Sequence, residues 1–205
     1  MQSIHFPSYP PSFSIAHVAL YTSLAPGSAA SLRQRIITAS TLPQDEAGNA
    51  EREAVNFAFI NPHLITSRLH LQTAISQAII AETGGSLRTK TVHSEILWVL
   101  NPTNNISEAI RRYGVSDIST ALLVVRVCGP DLSASQAQEQ LDKIVQGTLV
   151  PFALLDSLTD WDTIKKYHKL NNEPAILAAK GDIECERRVV DNIVTSTVAM
   201  KSVAS

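Results

Sequence analysis

The sequence predicts an α+β fold: a single domain with a central, mainly antiparallel four-stranded sheet surrounded by helices. Three observations lead there. Segments of helical period are mixed with short β-prone runs, without the strict alternation that a parallel sheet imposes. Gly and Pro fall mostly between these segments rather than inside them. Hydrophobic residues make up 44% of the 205 residues and charged residues 18%, a composition able to bury one sizeable core.

The elements follow in order. After a Pro-rich start, FSIAHVALY (13–21) is apolar on both faces, as in a strand covered on both sides. Pro26-Gly27 turns the chain, and Ser28 is placed to cap a helix to about residue 40 with Leu32, Ile36 and Ile37 on one stripe. Residues 42–54 are polar and acidic with no apolar period, and hold Pro43 and Gly48; a mobile insertion is expected. FAFI (57–60) is a short apolar run ended by Asn61-Pro62. Residues 67–82 predict a helix with Leu71, Ile75, Ala78 and Ile79 inward, stopped by Gly84-Gly85. EILWVLN (95–101) reads as a strand. Asn105 with Glu108 resembles a capping box opening a helix over 105–113, and Gly114 sits where a left-handed stop belongs. Residues 121–127 are the most β-prone run, followed by a helix with Leu141, Ile144 and Val145 inward. LVPF is short and extended, and LTDWDTIKKYHKL is a helix whose charges match the macrodipole. A last helix is expected over 183–203.

The net charge of -2 and pI near 6.3 exclude a strongly basic nucleic-acid binder, so an RNA role would rest on a local patch or on partners. Two cysteines, Cys128 and Cys185, do not staple a chain of this size; with no apolar signal segment at the start, a reducing compartment is expected. No catalytic or metal constellation stands out. His93 and Ser94 are neighbours, which in an extended chain point to opposite faces. His63 and His70, seven apart, share a helix face only if the helix begins early, neither Cys belongs to a CxxC pair, and no Gly-rich phosphate loop occurs. Asp156, Asp160 and Asp162 read as helix-start acids. A hydrolase or transferase site assembled in space from scattered His, Ser and Asp, around His93 or His168, stays open at this point.

Two surfaces suggest binding instead. Arg88 and Lys90 lead towards the helix start at Asn104-Asn105, where free N–H groups attract an anion and Ile106 adds an apolar platform; the plainer reading is a solvated edge and an ordinary cap. The last helix carries Val189, Val190, Ile193, Val194, Val198, Met200 and Val203, more than one apolar stripe, which fits either deep burial or a docking face.

FINP (59–62), LRTKTVHSEILWVLNPTNNISEAIRRYGVSD (87–117), KKYHKL (165–170) and VVDNIV (189–194) together resemble the PRPK-binding protein family, the small kinase-binding subunit of the KEOPS/EKC complex, over nearly the whole chain. The resemblance implies a non-catalytic α/β protein without a cofactor, in nucleus and cytoplasm, that binds and supports an atypical kinase/ATPase. It also implies help in binding the 3′ CCA tail of tRNA for threonylcarbamoyladenosine synthesis, with links to telomere upkeep and transcription. Carried onto this sequence, kinase binding falls on Val189, Val190, Ile193 and Val194, with Val189 nearest the core or rim. The tRNA tail falls on Arg88, Lys90, Asn104, Asn105 and Ile106; some relatives carry a basic residue where this chain has Asn. A kinase-binding module with no RNA role is the alternative.

Overall fold

The computed structural model describes residues 1–203 of the chain, and the domain expected over 1–205 is traced over those. The strands are β1 (Gln2–His5), β2 (Ile15–Thr22), β3 (Ala58–Ile60), β4 (Leu122–Cys128) and β5 (Thr148–Val150). The helices are α1 (Ser28–Thr41), α2 (Glu46–Ala54), α3 (Arg68–Thr83), α4 (Val92–Leu100), α5 (Ile106–Tyr113), α6 (Ala134–Asp142), α7 (Leu155–Leu158), α8 (Trp161–Tyr167), α9 (Pro174–Ala178) and α10 (Ile183–Ala199).

The sheet is antiparallel in order β1-β2-β4-β3, and β5 pairs with β2 beyond the end of β1. Strands β2 and β4 form its spine, with Ile15 opposite Cys128 and Tyr21 opposite Leu122. Side chains alternate between two apolar layers. Ala16, Val18, Leu20, Leu123, Val125 and Val127 join α3, α4 and α10 in the larger core. Ala19, Tyr21, Phe59, Leu122 and Val124 join α1 and α6 in the smaller one. Burial on both faces explains why β2 reads apolar at nearly every position.

Two expectations about the sheet need correcting. Among the described residues it has five strands, because the Pro-rich start forms β1 and the LVPF piece supplies β5, both on the edge of β2. EILWVLN is not a strand but most of α4. Thr91 accepts from the Ser94 amide at 3.1 Å, and Ser94 accepts from the Thr91 amide, a capping box that sets the helix start. Every α4 residue except Ser94 is buried. A helix apolar all round has the same hydrophobic run as a buried strand, so periodicity does not separate them.

The expected mobile insertion is also ordered, as α2. Asp45 caps it by accepting from the Gly48 amide at 2.7 Å. Arg52 folds back to donate to the carbonyls of Leu42 and Pro43, both at 3.0 Å. Gly48 is required there, since a Cβ would stand 2.1 Å from the Pro43 carbonyl oxygen. Its partners are polar, Arg35 with Glu51 and Arg126 with Glu53, which is why no apolar period announced it.

Smaller differences concern helix ends. Gly27, at φ 77°, precedes α1, while Ser28 donates to the Ala25 carbonyl. Gly114 is extended rather than left-handed; a Cβ there would lie 2.4 Å from the Ile110 carbonyl oxygen. Helix α10 ends at Ala199, and residues 201–203 form a turn. It runs in the same direction as α3: Thr66, just before α3, donates to Asp191 at 2.6 Å, and Ser202 donates to Gln77 at 3.1 Å.

Two buried histidines pin helices in place. In α4, His93 Nδ1 meets Asn56 Oδ1 at 2.8 Å, and its Nε2 accepts from the Val127 amide of β4 at 2.9 Å. In α3, His70 Nδ1 accepts from the Thr66 amide at 3.2 Å. Burial, assisted for His93 by Arg126 and for His70 by His168, pushes both imidazoles down to about 3. The unfolded chain protonates them near 6.5. Their contribution to stability is therefore whole above pH 6.5 and is lost as pH falls towards 3, by about 1.4 kcal/mol per histidine per pH unit. The urea midpoint should drop clearly between pH 7 and pH 5; a midpoint flat over that interval would contradict neutral burial of both rings.

Candidate functional site

The RTK segment turns sharply before α4 rather than approaching it as a strand. Its shape is set by Glu95, which is fully buried although it carries a carboxylate. Glu95 accepts from the Arg88 amide at 3.0 Å, from the Thr89 amide at 2.8 Å and from the Thr89 hydroxyl at 2.7 Å. Backbone donors thus satisfy the buried charge, and the Arg88 and Lys90 side chains are left exposed. These two side chains therefore do not lie along an extended approach to a strand.

One turn further along α4, Trp98 donates to the Asn104 carbonyl at 3.5 Å. The turn between α4 and α5 is held from inside. Asn101 is buried and donates through Nδ2 to the Thr103 carbonyl at 3.0 Å and the Asn105 carbonyl at 3.4 Å. Lys201, from beyond α10, donates to the Asn101 and Thr103 carbonyls, both at 2.7 Å, with its ammonium 4.6 Å from the centre of the Trp98 ring. Burial pushes the Lys201 amine down to about 8, partly offset by Glu95. With its carbonyls engaged inward, the turn presents Asn104, Asn105 and Ile106 to solvent; Ile106 is 39% exposed.

Arg88, Gln77, Glu95, Trp98, Lys201 and Ser202 line a small open pocket of about 90 Å³. The structure therefore brings Arg88 and the Asn104–Ile106 turn to either side of Trp98, while Lys90 lies outside the pocket lining. The α5 start is less free than expected. Asn105 accepts from the Glu108 amide at 2.9 Å, and the Glu108 carboxylate, held below the usual range chiefly by Thr103, bonds Arg112 at 2.6 Å. An anion there would meet Glu108, so the exposed cation of the site is Arg88 rather than the helix terminus.

On α10 the residues divide differently from expectation. Val190 and Val194, with Val198, form an i, i+4, i+8 stripe buried against α3 and the core. They are not available to a partner without unfolding the helix. Val189 and Ile193 are half-exposed at the edge of that core, Asn192 and Ser196 face solvent, and Met200 and Val203 are 55% and 76% exposed. The outer stripe runs along Val189, Ile193, Met200 and Val203.

The scattered-site enzyme finds no support in its named histidines. Both His93 nitrogens are engaged in packing α4, and the Ser94 hydroxyl closes the helix cap. His168 Nε2 lies 3.2 Å from the Tyr113 hydroxyl, and burial lowers its imidazole to about 4. His63 Nδ1 donates to the Leu158 carbonyl at 2.6 Å, and His70 is occupied separately with Thr66. Among the described residues no group of three His, Cys, Asp or Glu side chains is placed to hold a metal ion.

Sequence reasoning missed Glu95, Trp98, Asn101 and Lys201, the residues that shape the site from beneath. Glu95 carried a signal: a lone acid heading an apolar run is a buried charge in search of donors. Replacing it, Glu95→Gln, would turn an amide N–H₂ towards backbone donors. About 2 kcal/mol of stability should be lost, with faster amide exchange at residues 88 and 89. Unchanged exchange would show that the carboxylate does not set the bend.

The kinase binding protein CGI-121 family model matches residues 27–202. A relative from Cryptococcus neoformans is 31% identical over 236 aligned positions, covering 99% of this chain and 100% of its own length. One from Aspergillus fumigatus is 34% identical over 83% of this chain and 84% of its own. One from Neurospora crassa is 37% identical over 71% of this chain and 78% of its own. Each of the three is named EKC/KEOPS complex subunit CGI121.

Proposed function

The chain belongs to the kinase binding protein CGI-121 family, and from that premise we propose that it is a non-catalytic subunit of an EKC/KEOPS complex. It holds the kinase on the outer stripe of α10 and the single-stranded 3′ end of tRNA beside α4, while another subunit carries out threonylcarbamoyladenosine chemistry on that tRNA. Work in both nucleus and cytoplasm, and any telomere or transcription role, would follow from the complex.

The observation that carries the kinase half is the two-sidedness of α10. Val190, Val194 and Val198 spend one stripe on the core, while Val189 and Ile193 stay half-exposed at its rim, and Met200 and Val203, just past the helix end, are exposed apolar residues. A helix that only packs on its own domain needs one apolar stripe. Docking therefore rests on Val189 and Ile193 rather than on Val190 and Val194. Ile193→Arg should lower kinase affinity at least thirtyfold, about 2 kcal/mol, by placing an unpaired charge in the contact. Because Ile193 is only half-buried, the variant should stay folded; undiminished co-purification of kinase with it would remove α10 from the interface.

The RNA half is supported by Arg88 beside Trp98 and by the exposed Ile106 on the neighbouring turn: a cation for phosphate with an apolar surface for an unstacked base. So few charges predict weak binding by the isolated chain and a shallow salt dependence. Arg88→Glu with Lys90→Glu should weaken intact tRNA more than tRNA trimmed of its 3′ end. Equal losses on both would remove the 3′-end assignment. No loss on either would favour the second reading, a kinase-binding module with no RNA role, which the Glu108 carboxylate at the α5 start and the net charge of -2 already suggest.

A further inference from the structure

The two surfaces meet at one side chain. Lys201 is two residues past the end of α10, between exposed Met200 and Ser202, yet it is itself buried. It reaches inward to the turn that carries Asn104, Asn105 and Ile106. Of the side chains that fix the carbonyls of that turn among the described residues, Asn101 and Trp98 belong to α4 or its immediate end, and Lys201 alone comes from a distant part of the chain. Its Nζ bonds the carbonyls of Asn101 and Thr103, the two that set where the turn leaves α4.

We propose that Lys201 is a positioning residue that couples the two surfaces: a kinase seated on Met200 and Val203 holds the last turn closed, and Lys201 thereby holds the 101–106 turn in the shape that binds RNA. The proposal rests on the reading of α10 as the kinase face and of the turn as the RNA face.

The physical argument is one of local opening. Residues 200–203 are a turn beyond a helix end, tied down by Lys201 and by the exposed bond from Ser202 to Gln77. Such segments open at small free-energy cost. Each opening withdraws the ammonium from two carbonyls at once and loosens the turn above Trp98. A protein covering Met200 and Val203 suppresses the opening, so RNA then binds a turn already ordered and pays less of the ordering entropy. The effect is reciprocal, since RNA held on the ordered turn favours the closed end that the kinase recognises.

The test uses the full chain, the kinase subunit, and an RNA hairpin made of a tRNA acceptor stem with a single-stranded CCA end. Without RNA, kinase addition should slow amide exchange at residues 103–106 in the wild-type chain and leave it unchanged in Lys201→Met, which keeps an unbranched apolar chain in the same place without the ammonium. Hairpin affinity should rise about fivefold on kinase addition in the wild type and not at all in Lys201→Met, the low end of coupling between two sites. Absence of slowing in the wild type overturns the proposal even if Lys201→Met fails to fold. So does equal slowing in the variant. A Lys201 that merely touches RNA would lower hairpin affinity by the same factor with and without kinase, and that outcome also overturns it. A hairpin that binds neither form defeats the RNA reading, while the exchange data still decide the coupling. A kinase that does not bind defeats the docking reading and the coupling together.

Discussion

Helix α4 meets almost no water. Its aliphatic residues fill the space between the sheet and α3, so any polar atom it carries must find its partner within the protein. Three side chains bring such atoms inside, and each fixes something. His93 sets the height of the helix over β4 through the Val127 amide. Glu95 bends the segment ahead of it by gathering the amides of Arg88 and Thr89. Trp98 steadies the turn behind it through Asn104. The exposed groups on either side are thus placed by demands that arise in the core. Were α4 a surface helix, water would satisfy Glu95 and nothing would hold Arg88 in position.

The same logic explains why the candidate surfaces lie next to each other. Helix α10 packs beside α3 and follows it in direction, so its end arrives beside Gln77 of α3, next to the pocket that Arg88 lines. Lys201 fills the gap between them. Its ammonium lies over the Trp98 ring and replaces the water that two backbone carbonyls would otherwise need. The pocket is shallow and small, which suits contact with a flexible strand end better than enclosure of a reactant.

Much of the architecture was legible in the sequence. The α+β class, the spine strands β2 and β4, the inward faces of α3 and the Asn105 cap follow from period, β-propensity and capping chemistry, which are local. The misreadings share a cause. EILWVLN looks like a strand because its burial is complete, and completeness erases period. Residues 42–54 look like a loop because α2 is held by Arg52, Arg35 and Arg126 rather than by an apolar stripe. On α10 the composition showed more than one apolar stripe, but which valines would be buried depended on rotation against α3, a property of the packed molecule. The outer residues of the candidate site, Arg88 and Asn104 to Ile106, were picked out by residue type; the inner ones were not, since a lysine after a terminal helix looks like any solvated charge.

The parallel course of α3 and α10 has a consequence in time. Two neighbouring helices pointing the same way need a long return connection, and here it comprises nearly a hundred residues, including α4, α5 and β4. As the chain emerges in order, the sheet and α3 can assemble before α10 exists, but the outer stripe proposed for docking cannot form until α10 lies on them. A partner that grips this stripe consequently engages only molecules whose core is already built. Recognition of the finished fold and recognition of the protein become the same event, so a chain stalled or broken before residue 183 would be passed over rather than drawn into an assembly.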